Sequence, residues 1–290
     1  MTQSLETLSR RTTSMQGIRS VVHTMKTLSV INAAPYEHAA LAVGAYHQTI
    51  LDGLHAFFAG TTMELPHADV GNSVCVVFGT DHGLCGNYNE ALAANVKAQI
   101  ADTPTQILCV GAQMADALED QKLTVEAVFF PPASVDGIGR MANLLTQKLD
   151  EIRQATVPRD LAVSLAYFSQ DGDTTQQAEF KPLLPLSADL VTQFQTTPWT
   201  SRSLPQFTLQ PAALFQSLLR GHLFASMFRA SADALVTENA ARLALMQQAE
   251  HTVDDRLAEL LSETRSVRQN EITTELLDVI VGFEALKKRK

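Results

Sequence analysis

From Ala212 to Val281 the chain contains no proline and a single glycine, Gly221. Proline lacks a backbone donor and clashes with the preceding turn, and glycine loses the most entropy in a helix, so a run without them is free to stay helical. Pro211 suits a first helical turn, where its missing N–H would be unpaired in any case. Roughly 70 residues at about 1.5 Å each predict a rod on the order of 100 Å long. An ordinary globular helix has about 11–12 residues. No compact domain made from 290 residues buries such a rod along its whole length. It is expected to project, and to pack against another helix or another protein.

The mate is at the other end of the sequence. From Leu5 to about Phe58, apolar residues recur at helical spacing: Leu5, Leu8, Met15, Ile18, Val22, Met25, Leu28 and Ile31. Pro35 is expected to kink this helix or to end it near Ala34. Antiparallel pairing of the two terminal helices as a coiled coil buries both apolar stripes. The C-terminal helix is the longer, so its tip is expected to overhang. That tip is apolar at Ile272, Leu276, Leu277, Ile280 and Phe283, and needs an apolar socket in a partner.

Between the helices the rhythm changes. Candidate strands are Val74–Phe78, Gln106–Val110, Thr124–Phe130 and Leu161–Phe168; candidate helices are Asn89–Ile100, Ala112–Gln121 and Ile138–Gln154. Such alternation predicts an α/β layer on a partly parallel sheet. Gln177–Leu186 adds an edge strand, since Pro182 and Pro185 suit an edge or a strand end. Ser187–Pro211 reads as loop, with prolines at 198, 205 and 211. The predicted fold class is α/β: long antiparallel N- and C-terminal helices forming a coiled coil, with an inserted Rossmann-like α/β domain. The divisions are 1–58 for the first shaft helix, 73–186 for the α/β domain and 211–286 for the second shaft helix.

Composition removes several function classes. The formal net charge is −9, which disfavours nucleic-acid binding. Nothing approaches about 18 consecutive apolar residues, so no membrane span is expected, and the polar start, Met1–Arg11, has no apolar signal core. A bacterial cytoplasmic location fits. Cys75, Cys85 and Cys109 match no zinc spacing and read as buried reduced thiols. No histidine pair at i, i+4 offers a metal clamp, and neither metal nor cofactor is expected.

Four segments carry a family resemblance. Arg268-Gln269-Asn270-Glu271-Ile272-Thr273-Thr274-Glu275-Leu276 resembles an Arg-Gln-x-x-Ile-Thr-x-Glu-Leu segment, with Gly282 following as that pattern expects. Glu238-Asn239-Ala240-Ala241-Arg242-Leu243-Ala244-Leu245-Met246 resembles Glu-x-Ala-Ala-Arg-Met-x-Ala-Met. Thr80-Asp81-His82-Gly83-Leu84-Cys85-Gly86-Asn87-Tyr88-Asn89 resembles Thr-Asp-Arg-Gly-Leu-Cys-Gly-x-x-Asn, and Leu183-Leu184-Pro185-Leu186 is similar too. All belong to the gamma subunit of F-type ATP synthases, and the match runs through nearly the whole chain in order.

The resemblance implies a central rotor shaft, not catalytic by itself, in an ion-translocating ATP synthase or ATPase. Its implied partners are the alpha and beta subunits of the catalytic hexamer, the epsilon subunit and the membrane c-ring. Its implied location is peripheral, on the cytoplasmic face of the bacterial inner membrane. Met25, Arg268, Gln269, Thr273 and Glu275 would contact the beta subunits. Leu276, Leu277, Ile280 and Phe283 would form an apical bearing. Pro205 and Phe207 fall where the family often has tyrosines that touch the membrane ring, and would belong to the foot with epsilon.

This chain also departs from the family. The stretch Val30–His38 has no Lys or Arg where the family usually carries basic residues facing acidic beta loops. His82 replaces an arginine, Phe283 an alanine, and Lys287–Lys290 extends beyond the usual apolar end. The divergence points to an alternative branch of F-type ATPases, the sodium-linked kind.

Other readings of the same residues are blander. Gly79–Asn89 follows a strand and opens a helix, where amides can bind anions. It has neither a G-x-G-x-x-G nor a Walker pattern, and reads as a tight glycine turn. Asp81, His82 and Cys85 crowd one turn, an arrangement poorly suited to nucleophile, base and orienting group. Asp255, Glu259 and Glu263 make an acidic ridge that reads as a solvated face. The alternative function is a small-molecule-binding α/β enzyme with a helical oligomerisation arm. The missing phosphate motif and catalytic constellation count against it.

Overall fold

A computed structural model describes residues 4–61, 70–100, 103–156, 160–171, 175–199 and 202–287, the side chains of 70, 156, 171, 175 and 282–287 excepted. The elements run α1 (Leu5–Gly60), β1 (Val70–Phe78), α2 (Tyr88–Ile100), β2 (Thr105–Val110), α3 (Ala112–Asp120), β3 (Val125–Phe129), α4 (Val135–Thr156), β4 (Asp160–Asp171), β5 (Thr175–Leu184), α5 (Ala188–Thr196) and α6 (Pro211–Lys287). The chain divides into two compact units, one of 1–29 with 243–290 and one of 30–242.

In the larger unit the sheet order is β3-β2-β1-β4-β5. Four strands are parallel and β5 is antiparallel to β4. Period-two alternation sends successive residues of β1 to opposite faces. Val74, Val76 and Phe78 join Met141, Ala142 and Leu145 of α4 and Leu223, Met227, Ala230 and Ala234 of α6. Cys75 and Val77 join Leu92 and Val96 of α2 and Met114 and Leu118 of α3. A sheet covered on both faces explains why its strands read as continuous apolar runs. The fold is the α/β arrangement with helical termini that the sequence predicts.

One sequence expectation is narrowed and another needs correction. Pro35 does not end α1, which continues to Gly60. Just beyond it Tyr36 and Ala39 are buried against Ile138, Leu235 and Val236, and this packing outweighs the loss of one helical hydrogen bond, about 3 kcal/mol for an interior proline. The span 187–211 is not all loop. Ser187 Oγ accepts the Leu190 amide at 3.2 Å and caps α5, which buries Phe194 beside Leu54, Phe57 and Phe58. The signal was present as a capping serine followed by Leu190, Val191 and Phe194 on one face.

The α1–α6 pairing within this unit is antiparallel and close. A Cβ at Gly53 would stand 3.0 Å from Leu218, and one at Gly221 would stand 3.0 Å from Ile50. Each glycine thus lets a large side chain of the other helix sit close against its backbone, where a Cβ would press on that side chain's terminal methyl.

In the smaller unit α1 begins with a capped turn, the Thr7 amide donating to Ser4 Oγ at 3.3 Å. Leu8 and Val22 of α1, with Met246, Val253 and Leu260 of α6, are buried. Ion pairs flank this seam: Arg19 with Asp254 at 2.6 Å and Lys26 with Glu250 at 2.6 Å. Ascending numbers on one helix meet descending numbers on the other, so this pairing is antiparallel too. The predicted α1 stripe is only half used, because Ile18, Leu28 and Ile31 are exposed.

Candidate partner-contact surfaces

The smaller unit carries the predicted shaft residues. Leu260 is the last fully buried residue of α6, and α1 starts at Leu5, so beyond about residue 267 the helix has no cover among the described residues. Met25 is half-buried on α1; Arg268, Gln269, Thr273 and Glu275 are all exposed. Thr273 Oγ1 donates to the Gln269 carbonyl at 2.8 Å, which is a helix-internal bond. The Arg268 and Glu275 side chains make no hydrogen bond or ion pair among the described residues. Leu276, Leu277, Val279 and Ile280 are 59%, 55%, 69% and 56% exposed. Phe283 lies on the described helix, but its side chain falls outside the described part, as do residues 288–290.

The larger unit carries the loop Gly79–Asn89. Asn89 Nδ2 donates to Thr80 Oγ1 at 2.8 Å, and the Thr80 amide donates back to Asn89 Oδ1 at 3.0 Å. Asp81 Oδ1 accepts the Ala112 amide at 3.1 Å and so caps α3. Thr80 packs so tightly on Gly111, φ 109°, that a Cβ there would lie 2.5 Å from the Thr80 oxygen. Thr80, Asp81 and Asn89 thus have their polar groups engaged within this unit. Burial raises the Cys85 thiol above its ordinary pKa, the reverse of what a nucleophile needs.

The crevice where a doubly wound sheet ordinarily takes a ligand lies where the strand order reverses, here between β1 and β4. Tyr88 stands there. Its ring centroid is 4.6 Å from that of Phe168, and its hydroxyl bonds to Thr237 Oγ1 at 2.9 Å. Gln176 Nε2 of β5 donates to the Thr237 carbonyl at 2.9 Å. Next along α6, Glu238 and Arg242 form a pair at 2.6 Å, largely buried. Desolvation raises the Glu238 pKa, and the hydrogen bond from Arg242 works against that rise. The sequence segment Glu238–Arg242 therefore has an internal reason for its spacing: one helical turn places both charges together.

Pro205 and Phe207 meet the same unit's aromatic core. Phe207 is stacked on Phe57 at 5.8 Å, and Pro205 packs by Gly60. Leu204 and Leu209 on either side are exposed. Sequence reading missed these two, along with the Tyr88–Thr237 lock; only the exposure of the leucines, and the pairing of α2 with α6, distinguishes them.

In the larger unit α6 lies on a two-sided sheet, and in the smaller unit its end leaves apolar residues bare. A family model described as ATP synthase matches residues 4–286. The chain belongs to the ATP synthase family. Relatives include ATP synthase gamma chains of Geotalea uraniireducens, 21% identical with 98% of this chain and 99% of that one covered, and of Dictyoglomus thermophilum, 24% identical with 98% of each covered. In fold, the chain is similar to a chain in the rotor of Euglena gracilis mitochondrial ATP synthase, with TM-score 0.64, 15% identity, and 92% of this chain and 98% of that one covered. As a member of the ATP synthase family, the chain lines up with gamma chains end to end. No described helix is long and apolar enough to cross a membrane.

Proposed function

We infer that the chain is the gamma subunit of an F-type ATP synthase or ATPase, the central shaft that couples ion flow through the membrane ring to chemistry on the alpha–beta hexamer. The observation that carries this reading is the bare apolar end of α6. Exposed leucine, isoleucine and valine at helical spacing gain nothing in water, and each large side chain gains about 1.5–3 kcal/mol when a sleeve takes it up. Leu276, Leu277, Ile280 and Phe283 supply that bearing. Arg268, Gln269, Thr273 and Glu275, with Met25 on α1, present polar groups to the beta subunits. A shaft that touches three catalytic sites differently biases each toward a different conformation. ATP chemistry stays on the beta subunits.

The α/β unit is the foot. Pro205 and Phe207 are held by the aromatic core, and this anchoring presents Leu204 and Leu209 to the membrane ring and epsilon subunit. The complex sits peripherally, on the cytoplasmic face of a bacterial inner membrane. The divergence from the family's basic first helix supports placing it in the sodium-linked branch.

The test is assembly with the chain's own alpha and beta subunits. The isolated chain shows no ATPase activity, and the mixture yields one copy of it per hexamer. A chain ending at Leu286 assembles and turns over ATP at the full rate, whereas one ending at Glu275 loses coupled turnover. Equal rates from both truncations would remove the bearing.

A further inference from the structure

His47 on α1 and His222 on α6 meet inside the unit of residues 30–242. Nε2 of His47 lies 2.9 Å from Nδ1 of His222, with ring centroids 5.0 Å apart. His222 is only 6% exposed and His47 is half-buried. A hydrogen bond between two imidazoles requires one nitrogen to donate and the other to accept, so at least one ring must be neutral. The positions around them are tightly built. Tyr46 stands edge-on to Phe224, and Ile50 lies against Gly221. The rings cannot both reach water while this seam is closed.

The charged groups that act on the pair are cationic: Lys181 of β5 and Arg229 of α6. The nearby carboxylates are otherwise engaged. Asp233 on α6 pairs with Arg229 at 3.5 Å, Glu179 on β5 accepts from Tyr167 and Ser169, and Asp52 on α1 accepts from Gln48. Among the described residues no carboxylate makes an ion pair with either ring.

We propose that His47 and His222 form an acid-sensitive latch that holds α1 to α6 within the unit of residues 30–242. With both rings neutral, one N–H bridges them. A first added proton enters the outward nitrogen of the donor ring and leaves the bridging N–H with its acceptor. A second leaves two donors facing each other beside Lys181 and Arg229, and the bond has no acceptor. Separation of the helices around residue 47 then hydrates both rings. Burial, followed by the neighbouring ring and Lys181, lowers the pKa of His222 to about 4; burial, then Lys181 and Arg229, lowers that of His47. The open form therefore binds more protons than the closed form below about pH 6.5, and acid favours opening. Each proton taken up on opening raises the opening constant by about tenfold per pH unit in that window.

The experiment is amide exchange of residues 43–51 in the full chain between about pH 7 and about pH 5, corrected for intrinsic exchange. Protection is expected to fall by about tenfold per unit for one proton taken up. The double variant His47→Gln with His222→Asn places an amide N–H and an amide oxygen where Nε2 and Nδ1 were, and cannot titrate. Its protection is expected to be flat across the range. The same acid dependence in the double variant overturns the latch, as does flat protection in the wild type. Should the variant not fold, the imidazole Cε1–H resonances of the wild type decide the matter. Midpoints below the ordinary histidine value for both rings support the latch, and a midpoint at or above it for either ring overturns it.

Discussion

Two stretches of α6 have similar apolar content and opposite surroundings. Between Leu223 and Asn239 four buried alanines, Ala225, Ala230, Ala232 and Ala234, are interspersed among the larger buried Leu223, Met227, Leu235 and Val236, and Ser226, Ser231 and Thr237 are buried too. Between Ile272 and Val281 the apolar residues are large and exposed. In the first stretch the helix lies on a sheet, against α4 and against α1 within one unit, and small side chains let several backbones approach. In the second, nothing within the described residues covers the helix, and large side chains are what a separate apolar sleeve would grip. Alanines interspersed among large side chains thus mark the part of the helix that builds a core, and an unbroken set of large ones the part left bare, where hydrophobicity alone does not separate them.

The contrast breaks most readily at Met227. Met227→Ala removes a fully buried side chain packed on the sheet and is expected to destabilise the chain by about 3 kcal/mol, read as a drop in the denaturant midpoint. Leu276→Ala at the bare end is expected to shift the same midpoint by less than about 0.5 kcal/mol while weakening assembly with alpha and beta. Equal losses of stability at the two positions would show that the end is covered by the chain itself.

The residue just before the buried stretch carries a pH dependence. His222 has a folded pKa of about 4 against an ordinary value of about 6.5. Its folded form favours the neutral ring, so this contribution is full above about pH 6.5 and is lost as pH falls toward 4. Up to about 3 kcal/mol is at stake, less whatever hydration the native state admits. Urea melts at stepped pH measure it, and His222→Asn should flatten the slope in that window.

Tyr88→Phe sharpens the comparison at smaller scale. It removes the hydroxyl that bonds to Thr237, and an unfolding free energy lower by about 1 kcal/mol is expected. A loss near zero would mean that ring stacking on Phe168, rather than the hydroxyl, ties α2 to α6. The smallest stability effect belongs to Arg268→Ala with Gln269→Ala, less than about 0.5 kcal/mol on an exposed helix face. The readout there is coupled ATPase rate in the assembled complex, which is expected to fall. An unchanged rate would place this face idle.

Much of this was legible from residue order alone. The absence of proline over Ala212–Val281 announces α6, and the alternation of β-rich and helical runs announces a two-sided sheet, because backbone constraints and apolar period act locally. The strands were located to within a few residues for the same reason. α5 was misread, and an end of α1 at Pro35 was left open, because local propensity was opposed by distant packing: Phe57 and Phe58 for the one, Tyr36 and Ala39 for the other.

The candidate surfaces divide along the same line. Arg268 through Ile280 could be named from a motif on a helix with no mate, since exposure there follows from length. The Tyr88–Thr237 lock and the His47–His222 contact could not. Each joins residues well over a hundred positions apart, and which ones meet depends on antiparallel register. Gly53 facing Leu218, Gly221 facing Ile50 and His47 meeting His222 share one antiparallel register of α1 on α6. Local chemistry determined the elements; close packing between distant helices decided which side chains share a proton.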